Sequence, residues 1–135
     1  MIAMKSIDVN LSTEVVDDAV VAKVLFTNNS SEDIIYLDVI TICLDNVFRN
    51  NIFSITDENG KHVLYFGMMG KRMILPEDFI ELTPGESIQT TITLNKGYEL
   101  IKGHKYFIRF CANNPTYPDK QPRLDLFSNK VEITY

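Results

Sequence analysis

The chain has 135 residues, 45% of them hydrophobic and 23% charged, and 13 Lys+Arg against 18 Asp+Glu give it a net charge of -5. These values predict one domain, residues 1–135, with a hydrophobic core of its own. Without a basic cluster the chain lacks the positive surface that binds phosphate backbones, so we expect no nucleic-acid partner. No apolar run approaches the roughly 20 residues that span a bilayer, so we expect no membrane association.

The first residues, MIAMKSIDVN, contain no long apolar stretch, so we do not expect them to form a secretory signal. A chain without such a signal is expected in the cytoplasm. It would be an exported protein if the sequence is the mature part of a longer precursor.

Along the chain, apolar and polar residues alternate with a period of two, which is typical of half-buried β-strands. In AVVAKVLFT this pattern places Val24 and Phe26 on one face, and in KYFIRFCA it does the same for Ile108 and Phe110. Strands are predicted, in order, at 7–11, 19–27, 34–40, 52–56, 61–66, 79–82, 87–94, 105–112 and 128–135. The predicted core contains Val24, Phe26, Ile92, Ile108, Phe110 and Ile133.

Turn residues separate these strands. Residues 57–60, DENG, predict a four-residue hairpin loop between two of them. Pro84 and Gly85 fit the two central positions of a type II turn. The segment after Pro76 predicts one short helical turn, because proline is accepted at the first helical position.

Many short strands with turns between them predict an all-β fold, an immunoglobulin-like antiparallel β-sandwich of about eight or nine strands. With all nine strands present, 19–27 and 105–112 run in the same direction, as the second and penultimate strands of variable-type immunoglobulin sandwiches do. This order predicts which loops share an end of the sandwich. One end holds 28–33, 57–60, 83–86 and 113–127, and the other holds 41–51, 67–78 and 95–104.

The motif FGMMGKR, residues 66–72, has two glycines followed by two basic residues, as a phosphate-binding loop does. A P-loop needs four residues between its glycines, a Ser or Thr after the Lys, and a following helix. Here only two residues separate Gly67 from Gly70, and Arg72 stands in the Ser/Thr position. We therefore expect a structural loop with exposed Met68 and Met69, which together with Arg72 could form an adaptable contact patch.

Neither a metal site nor a catalytic site is predicted, and no cofactor is expected. The two histidines, His62 and His104, lie far apart, and no H-E-x-x-H, C-x-x-C, calcium-loop or G-x-S-x-G motif occurs. Cys111 lies within a predicted core strand, which argues against a thiol nucleophile. A carboxylate pair stays open, with Glu77 and Asp78 in the densest acidic group.

The loop 113–127, NNPTYPDKQPRLDLF, is the most distinctive polar segment. Its three prolines reduce the entropy lost on binding. It carries Tyr117 and Arg123, the residue types that dominate binding hot spots. We expect a protein partner to bind this loop, with the end that carries Met68, Met69 and Arg72 as the second choice.

Four segments follow one another in a familiar order: VLFTNNSSEDIIYL, FSITDENGKHVLYFGMMGKR, DFIELTPGESIQTTITLNKGYEL and HKYFIRF. Together they resemble the β-sandwich domain that precedes the catalytic domain in deuterolysin-type zinc endopeptidases and their bacterial relatives. The shared features are a strand ending in Thr-Asn, a Gly-Lys-x-Val-x-Tyr-x-Gly run, a Leu-x-Pro-Gly-Glu-Ser turn, and a Leu-x-x-x-Tyr element from Leu94 to Tyr98. The resemblance covers about residues 20–112.

The H-E-x-x-H zinc helix of that family is missing, so no catalytic residue carries over. The resemblance implies an immunoglobulin-like sandwich that accompanies a protease and serves in targeting, folding or inhibition. We expect a non-catalytic protein-binding module that is a regulator, inhibitor or immunity partner of a protease. The alternative is a carbohydrate-binding sandwich, which needs a planar row of exposed aromatic side chains, and the chain has no Trp.

The two cysteines, Cys43 and Cys111, are predicted to be reduced thiols. The usual immunoglobulin bridge joins the second and penultimate strands, and the predicted strand 19–27 has no cysteine. A bridge from Cys43 would need an unusual geometry.

Overall fold

The computed structural model describes residues 7–70 and 72–135, and these residues form an all-β fold of eight antiparallel strands. The strands are β1 (Ile7–Val16), β2 (Ala19–Asn28), β3 (Ile35–Asp38), β4 (Phe53–Asp57), β5 (Phe79–Leu82), β6 (Ser87–Thr93), β7 (Lys105–Asn114) and β8 (Leu124–Thr134). Two 3₁₀ turns, Pro76–Asp78 and Leu94–Lys96, accompany them. The predicted helical turn after Pro76 is thereby confirmed.

The strands form two packed layers around one core. One layer is the sheet β1-β2-β6 and the other is the sheet β4-β7-β8, with the short pair β3-β5 beside it. Phe26 from β2 and Phe110 from β7 join the layers, since their rings meet edge to face with centroids 5.4 Å apart. The predicted β-sandwich is therefore confirmed at the level of an antiparallel all-β sandwich.

Most of the predicted core is buried. Val24, Phe26, Ile92, Ile108 and Phe110 are completely buried. Ile133 is only half-buried, because it lies near the end of β8 and packs against the margin of the core.

The predicted strand 61–66 is wrong as a regular strand. After the DENG turn only the bridge between Thr56 and His62 forms, and Tyr65 then pairs with Tyr98. The Tyr98 hydroxyl explains the interruption, because it accepts the Phe53 N–H at 2.9 Å on the open edge of β4. A continuing strand would have needed that N–H for its own ladder.

The direction of β4 corrects one of the predicted loop positions. Asp57 pairs with Tyr106 at the start of β7, and Glu58 lies 3.0 Å from the His104 ring. The loop 57–60 therefore shares an end with 95–104, whereas the sequence placed it with 28–33.

The other three loops predicted at that end do lie together. The Asn28 backbone bonds Gly85 and Glu86, and residues 119–122 line a groove with residues 32–36. Gly85 has φ +84°, and the Glu86 N–H donates to Thr83, as the predicted type II turn requires.

The strand β3 is attached to β7 by side-chain amides instead of a backbone ladder. Asn114 is completely buried, accepts the Asp38 N–H at 2.8 Å and donates to the Tyr36 carbonyl at 2.9 Å. Gln121 bonds both backbone groups of Tyr36, at 2.9 and 2.8 Å. These amides supply the hydrogen bonds that a neighbouring strand would otherwise give.

We expect Phe110→Ala to lower the free energy of unfolding by roughly 3–5 kcal/mol, because it leaves a cavity between the two sheets. Urea denaturation measures this loss. Phe107→Ala is the matched control, since Phe107 lies on the same strand but is only half-buried, and it should cost clearly less. Equal losses for the two variants would contradict the arrangement of the core.

We expect Asn114→Ala to cost roughly 1–3 kcal/mol, because it leaves the Asp38 N–H buried without a partner. Its neighbour Asn113 is exposed, so Asn113→Ala should change stability by less than about 0.5 kcal/mol. Thermal and urea denaturation of both variants test this difference. If the two variants behave alike, the amide link does not hold β3 in place.

Candidate functional site

Tyr117, the first predicted binding residue, is built into the fold. Its ring stacks on Phe79 with centroids 4.6 Å apart and planes 3° apart, and it meets Tyr36 edge to face at 4.9 Å. The loop around it closes through backbone bonds between Tyr117 and Gln121. Tyr117 is therefore half-buried over the β3-β5 pair, and much of its surface is already used by the protein itself.

Arg123, the second predicted binding residue, is exposed. Its side chain is 62% exposed and pairs loosely with Asp125 at 3.4 Å. Nearby, the loop 119–122 and the segment 32–36 enclose an open groove of about 440 Å³. The structure thus places Arg123 and Tyr117 in one loop but in very different surroundings.

Arg72, from the FGMMGKR motif, is the cation of a buried ion pair. The Asp38 side chain is completely buried, and Arg72 bonds its carboxylate. Arg72 also lies 3.4 Å from Asp78. The Asp38 carboxylate accepts further bonds from the Thr41 backbone and hydroxyl. Arg72 therefore anchors its loop to the end of β3 and is not a free contact residue.

The glycines of the motif also have structural roles. A Cβ on Gly67 would lie 2.6 Å from the Tyr65 hydroxyl, so a larger residue there would force the Tyr65 ring to shift. The Tyr65 hydroxyl donates to the Met68 carbonyl and holds the loop against the sandwich. Lys71 lies outside the described residues. The segment leads to a three-residue 3₁₀ turn and not to the helix that a P-loop needs.

The same segment carries exposed apolar side chains, which we call the ribbon. We define it as the outward side chains between residues 64 and 73: Leu64 (80% exposed), Phe66 (59%), Met68 (62%), Met69 (66%) and Met73 (80%). Met68 and Met69 were predicted to be exposed, and they are. Exposed apolar clusters often mark interaction sites, so five such side chains between residues 64 and 73 indicate a candidate contact surface.

The ribbon is apolar on both faces of an extended segment. Val63 and Tyr65 point inward and pack against the core, while Leu64 and Phe66 point outward. A strand at the surface of a sandwich normally carries polar side chains on its outer face. A second apolar face without a layer above it is what a partner would cover.

Leu64, Phe66 and Met73 were not predicted to be exposed. The signal was present in VLYF, where four apolar residues follow one another instead of alternating with polar ones. A run of this kind is also typical of a fully buried strand. Only the structure tells the two apart, because it shows that nothing within the described chain covers Leu64 and Phe66.

Two clefts flank the ribbon. One, of about 250 Å³, lies between the 49–52 segment, Met68, Arg72 and the Cys111 end of β7. The other, of about 410 Å³, is open and lies between residues 61–66 and the segment that carries Ile101 and His104. Together the two clefts make the surface around the ribbon concave, so that side chains of a partner could fit into it.

The two histidines do not form a metal centre in the described part of the chain. His62 and His104 both border the larger cleft. His104 bonds Glu58, and this hydrogen bond lowers the pKa of the Glu58 carboxyl. Across residues 7–70 and 72–135, no three His, Cys, Asp or Glu side chains converge as metal ligands would.

Both cysteines are free thiols. Cys43 is buried in a left-handed turn with φ +56°, and burial raises the pKa of its thiol to about 11. Cys111 is half-buried and borders the smaller cleft.

No family model matches the sequence, and a search of curated proteins finds no significant match. Among the described residues, no helical segment is long and apolar enough to cross a bilayer. The resemblance to the deuterolysin-associated domain thus stays an expectation from the motifs alone.

We expect Arg72→Gln to cost about 3 kcal/mol or more, because it leaves the Asp38 carboxylate buried without its cation. The control is Arg49→Gln. Arg49 forms a two-bond ion pair with Asp45, but that carboxylate is 53% exposed, so the loss should stay below about 1 kcal/mol. Urea denaturation of both variants measures the difference. Similar losses would mean that Asp38 is hydrated.

We expect alkylating reagents to modify Cys111 well before Cys43 in the folded protein near pH 8. The attacking species is the thiolate, which burial and a raised pKa both suppress at Cys43. Mass spectrometry after timed exposure to iodoacetamide gives the order. In denaturant both residues should react, and preferential native modification of Cys43 would contradict the described burial.

Proposed function

We propose that the chain is a non-catalytic protein-binding module whose contact surface is the apolar ribbon. The observation that carries the proposal is the set of five apolar side chains, each more than half exposed, on a backbone fixed by Arg72 and Tyr65. A fixed backbone loses little entropy on binding, and methionine side chains adapt to different partner shapes.

The ribbon replaces the loop 113–127 as the preferred surface. Tyr117 already packs on Phe79 and Tyr36, so truncating it would disturb the β3-β5 pair as well as any contact. Arg123 stays accessible and is the residue through which the loop could still contribute.

The role of a protease regulator, inhibitor or immunity partner is part of this proposal. It rests on the order of motifs that resembles a protease-associated sandwich. The immunoglobulin-like connectivity belongs to the same expectation. The carbohydrate-binding alternative gains no supporting observation, since the exposed aromatic residues of the described chain, Phe66 and Phe127, lie on separate segments.

The test is affinity capture from the source cells, followed by titration of the purified partner by calorimetry. The variant Met69→Ser with Met73→Ser should weaken binding by about 1–3 kcal/mol for each hot-spot residue. The matched control is Val15→Ser with Val16→Ser, which removes two exposed apolar side chains, 45% and 40% exposed, from the end of β1. The control should bind normally.

Three results would decide against parts of the proposal. Normal binding by the ribbon variant together with weak binding by Arg123→Ala would return the contact surface to the loop 113–127. Equal losses in the ribbon variant and its control would indicate non-specific adhesion. A partner without peptidase activity, or a protease whose rate is unchanged by saturating amounts of the chain, would remove the inhibitor role.

A further inference from the structure

The outer edge of β6 has backbone groups that no other part of the described structure uses. β6 pairs with β2 on one side only. On its outer side the Thr93 N–H donates to the Asn46 side chain at 2.8 Å. Because successive N–H groups of a strand point to alternate sides, those of Ser87, Gln89 and Thr91 point outward too. No hydrogen bond within residues 7–70 and 72–135 reaches the outward backbone groups of Ser87, Gln89 or Thr91.

This edge also lacks the usual protection against strand pairing. Among the eight described strands, β6 alone contains no Asp, Glu, Lys or Arg. It has no proline and no bulge, and its solvent-facing residues are Ser87, Gln89 and Thr91. Natural sheets usually block an open edge with charges, proline or a bulge. A neutral edge without these features therefore favours pairing with another strand.

The pattern of unused groups selects a second copy of this chain as the occupant. At one end of β6 the Asn46 side chain occupies the outward N–H of Thr93, and at the other end the turn 83–86 ends the strand edge before Ser87. The open positions are thus symmetric about Gln89. An antiparallel pairing of two β6 strands sets Gln89 opposite its own copy and Ser87 opposite Thr91 of the second copy. Every open position then has a partner, and no like charges face each other.

We propose that β6 is a homodimerisation edge, with a two-fold axis at Gln89 that joins two β1-β2-β6 sheets into one six-stranded sheet. A seam of one short strand buries less than a standard interface, so the dimer is weak and depends on concentration. The ribbon lies on a different segment, and pairing through β6 does not require it.

Cysteine cross-linking tests the register. In a Cys111→Ser background, Gln89→Cys brings two thiols onto hydrogen-bonded positions, whose Cα separation of about 5.5 Å suits a disulfide. The control is Ser12→Cys in the same background, because Ser12 is exposed on the same sheet but in β1. Under mild oxidation, Gln89→Cys should form covalent dimer at least about tenfold faster, since pairing raises the effective thiol concentration.

Sedimentation velocity tests the equilibrium without cross-links. The average mass of the natural chain should rise between about 10 μM and 1 mM, the range expected for a weak interface. Gln89→Lys sets like charges directly opposite each other and should keep the chain monomeric, whereas Ser12→Lys should dimerise normally. Circular dichroism checks that all variants are folded. Met69→Ser with Met73→Ser should also dimerise normally, which separates this surface from the ribbon.

The proposal is overturned by a natural chain that stays monomeric throughout this range, or by equal cross-linking of the two cysteine variants. It is also overturned if Gln89→Lys dimerises like the natural chain. A monomeric chain whose Gln89→Lys variant loses binding to a different protein would reassign the edge to a foreign strand.

Discussion

The buried carboxylate of Asp38 is the interaction on which the arrangement of the surface segments depends. It stands at the end of β3, where it accepts bonds from Thr41 and forms an ion pair with Arg72. The backbone N–H of the same residue bonds Asn114 in β7. Asp38 therefore connects β3, the turn that follows β3, the loop that carries Arg72 and the sheet β4-β7-β8. Because a buried charge is costly without partners, the Asp38 carboxylate requires its bonds to Arg72 and Thr41.

Side-chain amides do much of the work that backbone ladders do in a continuous sheet. Asn114 and Gln121 hold β3, and Asn129 in β8 bonds both backbone groups of Leu11 in β1, at 2.7 and 3.0 Å. Asn28 bonds the carbonyls of Asp33 and Leu82 and so fixes the loops at one end of the sandwich. Amides suit this role because each carries a donor and an acceptor, as a peptide unit does. Each amide bonds only one residue of a neighbouring strand, so it does not occupy the backbone groups of the residues beside it.

The sequence predicts β2 and β7 well because their alternation is strong, whereas it misses the second half of β1 and assigns residues 124–127 of β8 to the loop 113–127. In β2 and β7 the alternating apolar residues are the buried ones, and the short strand β5 was also found from its pattern and its flanking turn. The segment 61–66 could not be assigned in this way. Whether this segment forms a regular strand depends on Tyr98, which is distant in sequence and accepts the hydrogen bond of the Phe53 N–H. A local pattern carries no information about such a competitor. The loop 57–60 was misplaced for another reason: β4 runs opposite to its predicted direction, and the alternation of apolar residues does not report strand direction.

The sequence pointed to some residues of the candidate site, but it did not show whether each of them stabilises the fold or contacts a partner. Arg72 looks like a contact residue because Arg is enriched at interfaces, yet its partner Asp38 lies 34 residues earlier in the chain. Tyr117 looks like a hot spot, yet Phe79 uses one face of its ring. The same side chain can stabilise a fold or a complex, since the physical gain from stacking or ion pairing does not depend on which chain supplies the partner. Only long-range contacts decide between the two.

The ribbon differs from these residues because its apolar side chains have no counterpart in the described protein. Met68 and Met69 are both more than half exposed, while Tyr65 and Gly67 occupy the inner positions and fix the backbone. A fixed backbone with flexible apolar side chains combines low entropy cost in the main chain with adaptability in the contact layer. That combination stabilises a complex more than it stabilises the isolated fold, and for this reason we assign the ribbon to binding and the anchored residues beneath it to structure.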